Sequence, residues 1–433
     1  MYSLGYRKQL DLFTLPLLDG SFKASEYTPY YPTVSPDNVV APVEFQINGT
    51  PHCYLDLFTS FLYVKAKINE IGSDGKKTPV QLQDSSDPPK KILSTVNNFL
   101  HSMFDLVEIY MNGKLLSSKE HYNYLSMLLS MTSYSPNYQS MALKSALFTQ
   151  SFNIDKMDST DTGFSDRAKE IEKRNPIELT GRLFHDFFLQ EKYLLPNISL
   201  KIRLRRTSPE YCLLSTDKSK KYSIDFENVI FYCKRIVMQE SILHSQMQTL
   251  NQKGSAAYPF LETKIRAIPV AKNTNNLVLE NIFPVNELPS KVLLAMISTD
   301  AFNGSTSLSP YNFKSNNLSC ITLTVNNDES RRQQINYDFD KEIFMVGYQQ
   351  FIDALNMSES NFTYNSWIKE KFIQIFDVAQ SINLTSGTLK IELVFKKALE
   401  EAMMLLVLSQ RNSILEIGRD GTASINGGEG PIM

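Results

Sequence analysis

Residues 61–68, Phe-Leu-Tyr-Val-Lys-Ala-Lys-Ile, place Leu62, Val64, Ala66 and Ile68 on one face and Phe61, Tyr63, Lys65 and Lys67 on the other. A period of two is the signature of a half-buried β-strand. The same style extends in both directions. Upstream, Val43-Glu44-Phe45-Gln46-Ile47 alternates and stops at Asn48-Gly49. Downstream, Val107 to Met111 stops at Asn112-Gly113. Asn-Gly is a strong turn dipeptide because both of its residues tolerate positive φ. A polar loop is expected over 72–89, and the spacing of leucines and aromatics predicts a helix over 119–131.

Alternation returns at 177–183, 198–206 and 222–237. Residues 240–253 lack β-branched enrichment and meet Gly254, which reads as a helix with a glycine stop. Beyond it, strands are expected at 260–270, 292–298, 320–325, 372–377, 389–395 and 403–408, with a short helix at 348–355. Strand runs without crossover helices point to antiparallel sandwiches and away from a doubly wound α/β sheet. A chain of 433 residues exceeds the usual single core. The 26 Phe and 21 Tyr favour β-structure. The expected fold class is all-β, with two tandem antiparallel sandwiches. The divisions are an N-terminal arm over 1–35 with Pro16, Pro29 and Pro32, a first domain over 36–238 and a helical linker over 239–256. A second domain over 257–418 and a flexible C-terminal tail over 419–433 complete the chain. Residues 130–166 are polar and aperiodic, as long exposed insertions are.

Net charge is −2, so the bulk surplus of cations that nucleic-acid binding draws on is missing. Cys53, Cys212, Cys233 and Cys320 are scattered with no CxxC pair, which suits buried thiols better than a zinc site or a disulfide framework. The first 23 residues lack the apolar stretch of a signal peptide, so synthesis inside a cell without secretion is expected. His52, His101, His121, His185 and His244 are isolated. His185 is followed directly by a carboxylate, Asp186. Neither a GxSxG elbow nor a phosphate loop occurs. Catalytic residues, metal ligands and cofactor sites are therefore expected to be absent. Asp300-Ala-Phe-Asn-Gly304 reads as a strand-ending turn in preference to a ligand loop.

One basic feature stands out. In the strand 201–205, Lys201, Arg203 and Arg205 share a face opposite Ile202 and Leu204. The strip could meet a genome's phosphates, pair with acidic groups of a neighbouring sheet or subunit, or be a solvated face.

Several stretches together resemble the major capsid proteins of Polinton/Maverick elements and adintoviruses. They are Leu10-Asp11-Leu12-Phe13, Pro42-Val43-Glu44-Phe45, Tyr63-Val64-Lys65-Ala66-Lys67, Phe99 to Phe104 and Met111-Asn112-Gly113-Lys114-Leu115. Gly181-Arg182-Leu183, Tyr193 to Asn197, Lys201 to Leu204, Asp300 to Ser305, Pro310 to Phe313 and Ile414 to Ile417 continue the series. The resemblance implies a double jelly roll, two eight-stranded sandwiches in tandem. It also implies a homotrimer forming a pseudo-hexagonal capsomer, and neighbouring capsomers tiling an icosahedral virion shell around DNA without sequence-specific nucleic acid binding. A penton or minor capsid protein would be a partner, outward towers would suit 130–166, and the N-terminal arm would tie capsomers together. Ile425-Asn426-Gly427-Gly428-Glu429 resembles the site cut by adenovirus-type maturation proteases: an apolar residue, any residue, then Gly-Gly. Cleavage would follow Gly428. The alternatives are a non-viral jelly-roll ligand-binding or lectin-like module, an enzyme on a β-sandwich, and a minor capsid protein. The first would be expected to display an aromatic platform or a carboxylate cluster for Ca²⁺, and neither is evident.

Overall fold

The computed structural model describes residues 20–36, 41–80, 92–151, 154, 156–158, 160–355, 362, 364–378 and 386–427. The first half contains β1 (Phe22–Tyr30), β2 (Val43–Ile47), β3 (Cys53–Ile71), β4 (Lys77–Pro79), β5 (Leu93–Thr95), β6 (Phe104–Met111) and β7 (Lys114–Glu120). It continues with β8 (Ile177–Gly181), β9 (Leu200–Arg206), β10 (Leu213–Ser215) and β11 (Lys221–Met238). The second half contains β12 (Ser255–Val270), β13 (Asn276–Glu280), β14 (Lys291–Ser298), β15 (Leu318–Val325) and β16 (Arg332–Asn336). It ends with β17 (Ile373–Asp377), β18 (Leu389–Phe395), β19 (Met403–Gly418) and β20 (Ala423–Gly427). The helices are α1 (Phe99–Ser102), α2 (Tyr122–Thr132), α3 (Pro136–Met141), α4 (Thr162–Lys173) and α5 (Asp186–Leu189). They are followed by α6 (Pro209–Cys212), α7 (Glu240–Lys253), α8 (Thr299–Asn303), α9 (Met345–Ala354) and α10 (Tyr364–Lys369).

Both halves wind alike. In the first, one sheet runs β1-β11-β3-β8, with β4 also on β3, and faces β2-β9-β6-β7. In the second, β12-β19-β14-β17 faces β13-β18-β15-β16. Setting aside the short β4, β5, β10 and β20 leaves eight strands per half. Numbered in chain order, each half reads 1-8-3-6 over 2-7-4-5. That is the jelly-roll winding, so the chain is a double jelly roll. β3 carries the alternation that decides it: Leu62, Val64, Ala66 and Ile68 are wholly buried. Burying a large aliphatic side chain of this kind contributes about 1.5–3 kcal/mol.

Several elements differ from the sequence reading. Residues 22–30, read within an extended arm, form the edge strand β1, paired along its length with β11. Residues 114–120 form β7, so the helix read from 119 begins only at Tyr122, after His121 turns with φ 50°. The 130–166 insertion is packed, not a plain loop. It holds α3 and the start of α4, capped by Asp161, and it buries Leu143, Phe148 and Phe164. Residues 300–304 are one helical turn, α8, capped by Ser298 and closed by Gly304 at φ 104°. At the tail, 423–427 form β20, which covers the stretch of β19 (Ser413–Ile417) that β14 leaves unpaired.

Trp367 anchors the long connection between β16 and β17. It is wholly buried, donates from Nε1 to the Ile373 carbonyl at 2.8 Å, and lies 5.0 Å from the Phe372 ring and 5.7 Å from Phe351. Trp367→Ala leaves a large cavity and an unpaired carbonyl. It is expected to cost about 3–5 kcal/mol, read as a lowered urea midpoint.

Candidate assembly surface and interdomain seam

β12, the first strand of the second jelly roll, lies against the first along a polar and aromatic seam. Lys119 ends β7 and Asp186 begins α5, and each is 3% exposed. The Lys119 ammonium donates to the Asp186 carboxylate and to the Thr263 carbonyl of β12. Thr263 N–H donates back to Asp186 Oδ1 at 3.3 Å. Burial pushes the Asp186 carboxyl above the usual carboxylate range, opposed by the charge and hydrogen bond of Lys119. His185, which directly precedes this carboxylate in the sequence, does not use it. Its Nδ1 instead accepts from Phe187 N–H at the start of α5. A second layer follows on β12 and β19, where Glu262 holds Arg411 at 2.6 Å and Ser413 Oγ donates to it.

Aromatic contacts complete the seam. Phe302 of α8 stacks on Tyr124 at 5.3 Å, and Phe187 meets Phe260 at 5.3 Å. Tyr311 and Ser102 hydroxyls share a hydrogen bond of 2.6 Å across the two halves. α7 spans the same boundary, with Tyr54 donating to Gln246 at 2.6 Å.

The basic strip on β9 is compensated within the chain. Arg205 forks onto Asp105 through Nε and a terminal nitrogen at 2.8–3.0 Å. Arg203 lies 3.1 Å from Glu44 and 3.3 Å from Glu108. Lys201 is 3.9 Å from Glu44 and sits over the Tyr110 ring at 4.4 Å. Three carboxylates on β2 and β6 thus answer three cations. Of the alternatives raised from sequence, the geometry favours acidic partners, supplied by neighbouring strands of the same sheet. Those partners came from strands far apart in sequence, so the strip alone could not reveal them.

Of the tail motif, Ile425 pairs with Leu415 and Gly427 with Ser413 in the β19–β20 hairpin. Gly428 and Glu429 lie outside the described residues. Sequence reasoning missed this hairpin, although Asp420-Gly421 at its turn is a hairpin signal, with Gly421 at φ 76°.

The histidines do not converge. His52 and His244 are exposed, His101 and His185 are buried, and His121 lies 5.4 Å from the Phe302 ring. Among the described residues, no three His, Cys, Asp or Glu side chains gather where they could hold a metal ion. Cys53, Cys212 and Cys233 are buried free thiols. Exposed apolar side chains are scattered over the described surface, and two groups stand out. Exposed Tyr27 and half-buried Phe61 and Tyr232 form a ladder on the outer face of the first sheet, with centroids 5.5 and 5.0 Å apart. Ile343, just before α9, and Met345 and Val346 in its first turn lie 58–64% exposed. Clustered exposed apolar residues mark contact surfaces on folded proteins.

No family model matches the chain. An uncharacterized protein of Caenorhabditis elegans is 20% identical over 328 residues, 75% of each sequence. Among solved structures, the Sputnik virophage is similar over 100% of this chain and 94% of the other, with a TM-score of 0.67 at 13% identity. The mavirus major capsid protein is similar over 99% and 94%, with a TM-score of 0.59 at 10% identity. The Faustovirus major capsid protein is similar over 94% and 93%, with a TM-score of 0.51 at 8% identity. The fold is that of double jelly-roll major capsid proteins.

Two measurements check the seam. Lys119→Met strands a buried carboxylate and is expected to cost about 3–5 kcal/mol, whereas Lys119→Met with Asp186→Leu costs distinctly less. Equal urea midpoints for the single and double variants would contradict this. Separately, burial holds His101 down to about 3, against 6.5 for a free imidazole. An unfolded chain therefore binds a proton that the folded chain refuses. Stability is full above 6.5 and falls as pH drops toward 3, by about 1.4 kcal/mol per pH unit for such a group. His101→Gln is expected to flatten the fall in urea midpoint between pH 7 and pH 5.

Proposed function

We propose that this chain is a viral major capsid protein of the Polinton/Maverick and adintovirus type. It acts by assembly and not by catalysis. The observation that carries the reading is the repeated winding: two jelly rolls of identical strand order, fused by a buried seam into one block. Two similar domains per chain let three copies present six near-equivalent contacts, so a closed homotrimer approximates a hexagon. Such capsomers tile an icosahedral shell around a DNA genome, with a penton or minor capsid protein closing the vertices. The comparison structures support this because their likeness spans both domains and nearly the whole of each chain. The relative in an animal fits an element carried in a cellular genome.

The surface agrees with such a role. The β9 strip is neutralised in place, and the aromatic ladder that Tyr27 tops and the apolar residues at the start of α9 are surfaces that neighbouring copies would cover. The tail motif makes the chain a substrate for an adenovirus-type maturation protease, cut after Gly428. A protease cleft that takes an extended backbone would require β20 to leave β19 first, which ties cleavage to a rearrangement of that edge.

Expression alone, followed by size-exclusion chromatography with light scattering, is expected to give a species of about 148 kDa, three times 49.4 kDa. Intact mass of protein from particles made with the protease is expected to lack residues 429–433. Persistent monomers under all conditions count against the capsid reading; an uncut tail sinks only its protease clause.

A further inference from the structure

The ion pair at the centre of the seam holds an amine and a carboxyl in contact with water shut out. Lys119 and Asp186 are each 3% exposed. Among the described residues, neither side chain hydrogen-bonds to anything but the other and the backbone of Thr263. The two carboxyl oxygens are used differently. Oδ2 receives the Lys119 ammonium, and Oδ1 receives Thr263 N–H at 3.3 Å. The ammonium has three hydrogens and only two acceptors, Asp186 and the Thr263 carbonyl.

The surroundings bear on the charge state of the pair. Two charges taken out of water are costly even when they face each other. Burial raises the Asp186 carboxyl above its usual range, and the nearby Glu262 charge adds to this against the pull of Lys119. Glu262 cannot turn to Lys119 instead, because Arg411 and Ser413 hold it at 2.6 and 2.9 Å. On the other side, burial and then the Lys119 charge keep the His185 imidazole well below its ordinary range. Its Nε2 is buried with no hydrogen-bond partner among the described residues. The aromatic rings of Phe187 and Phe260, 3% and 4% exposed, close the site beside α5.

We infer that Lys119 and Asp186 join through an isopeptide bond that the folded chain makes by itself. One proton passes from Nζ to Oδ2, which leaves an amine against a carboxylic acid. Nζ attacks Cγ, and the carbonyl electron pair moves onto Oδ1, where Thr263 N–H donates to the developing negative charge. A second proton passes from Nζ to Oδ2, the Cγ–Oδ2 bond breaks as the Oδ1 pair returns, and water departs. A groove lined by Ser118, Lys119 and Lys264 lies alongside to take it. The ammonium and the carboxylate thus become one amide and one water, with no oxidant, cofactor or further reactant.

Held in contact, such groups react as though present at about 10⁵–10⁸ M, and the bond forms only once per molecule. Exclusion of water then protects it from hydrolysis. The amide removes both buried charges and keeps one N–H and one carbonyl to answer the two groups of Thr263. It also ties β7 to α5 across 67 positions of the chain, which restricts the unfolded state. Only the seam carries this bond, which is independent of whether the chain builds a shell.

Intact mass of the folded full-length protein, denatured and reduced just before measurement, is expected to lie one water molecule below the calculated mass. Tryptic digestion is expected to yield a branched peptide joining Lys119 to Asp186. Lys119→Arg keeps the positive charge and removes the condensing amine, so its mass is expected to equal the calculated one. Full mass in the unsubstituted protein after several days in the folded state overturns the bond. The same loss of water in Lys119→Arg, or a branch at other residues, overturns it too. Where Lys119→Arg does not fold, the branched peptide of the unsubstituted protein decides alone: its presence supports the bond and its absence overturns it.

Discussion

The two backbone groups of Thr263 set the relation between the halves of this protein. An edge strand pressed against another domain must have its outward N–H and C=O satisfied, because an orphaned buried amide costs as much as a lost hydrogen bond. Here no strand does it. An aspartate at the first turn of α5 and a lysine at the end of β7 stand in, bonded to each other and to the strand. A buried ion pair is weak evidence for stability but has value as a device for register. Its partners sit at fixed depths in both domains, so the second jelly roll cannot slide along the first without stranding a charge.

Around that point lie aromatic contacts and paired charges. The aromatic seam of Tyr124, Phe302 and Tyr311 excludes water. The β9 cations meet acids on the strands beside them, and exposed pairs of this kind contribute little stability, about 0–1 kcal/mol. Their effect is on the surface: they remove the local positive field that phosphates would seek. Edge backbone and exposed aromatic or aliphatic side chains remain on the surface beside them.

Much of this was legible where burial is one-sided. β3, β9 and β18 alternate because one face packs and the other does not, the first half of β19 reads as a strand from its unbroken apolar run Met403 to Leu408, and α7 announced itself through Gly254. β1 could not be read that way. Almost all of its residues are exposed, so Phe-Lys-Ala-Ser-Glu-Tyr-Thr-Pro-Tyr carries no period. β7 was hidden because Lys119, read as a helix residue, is buried for its ion pair, and Lys114 to Glu120 lack alternation. α4 is capped by Asp161 and buries Phe164, Arg167, Ala168 and Ile171, a short stripe in which a buried arginine breaks the apolar period. The seam itself was out of reach, since Lys119, Asp186 and Thr263 are widely separated in sequence and none belongs to a motif.

The central claim is that two like jelly rolls locked by this seam form one third of a pseudo-hexagonal building block. Electron microscopy of the purified assembly, averaged without imposed symmetry, tests it most directly. The account predicts a six-lobed outline with three-fold symmetry, each chain filling two adjacent lobes. A two-fold dimer, or particles in which the two lobes of one chain take variable orientations, would contradict it.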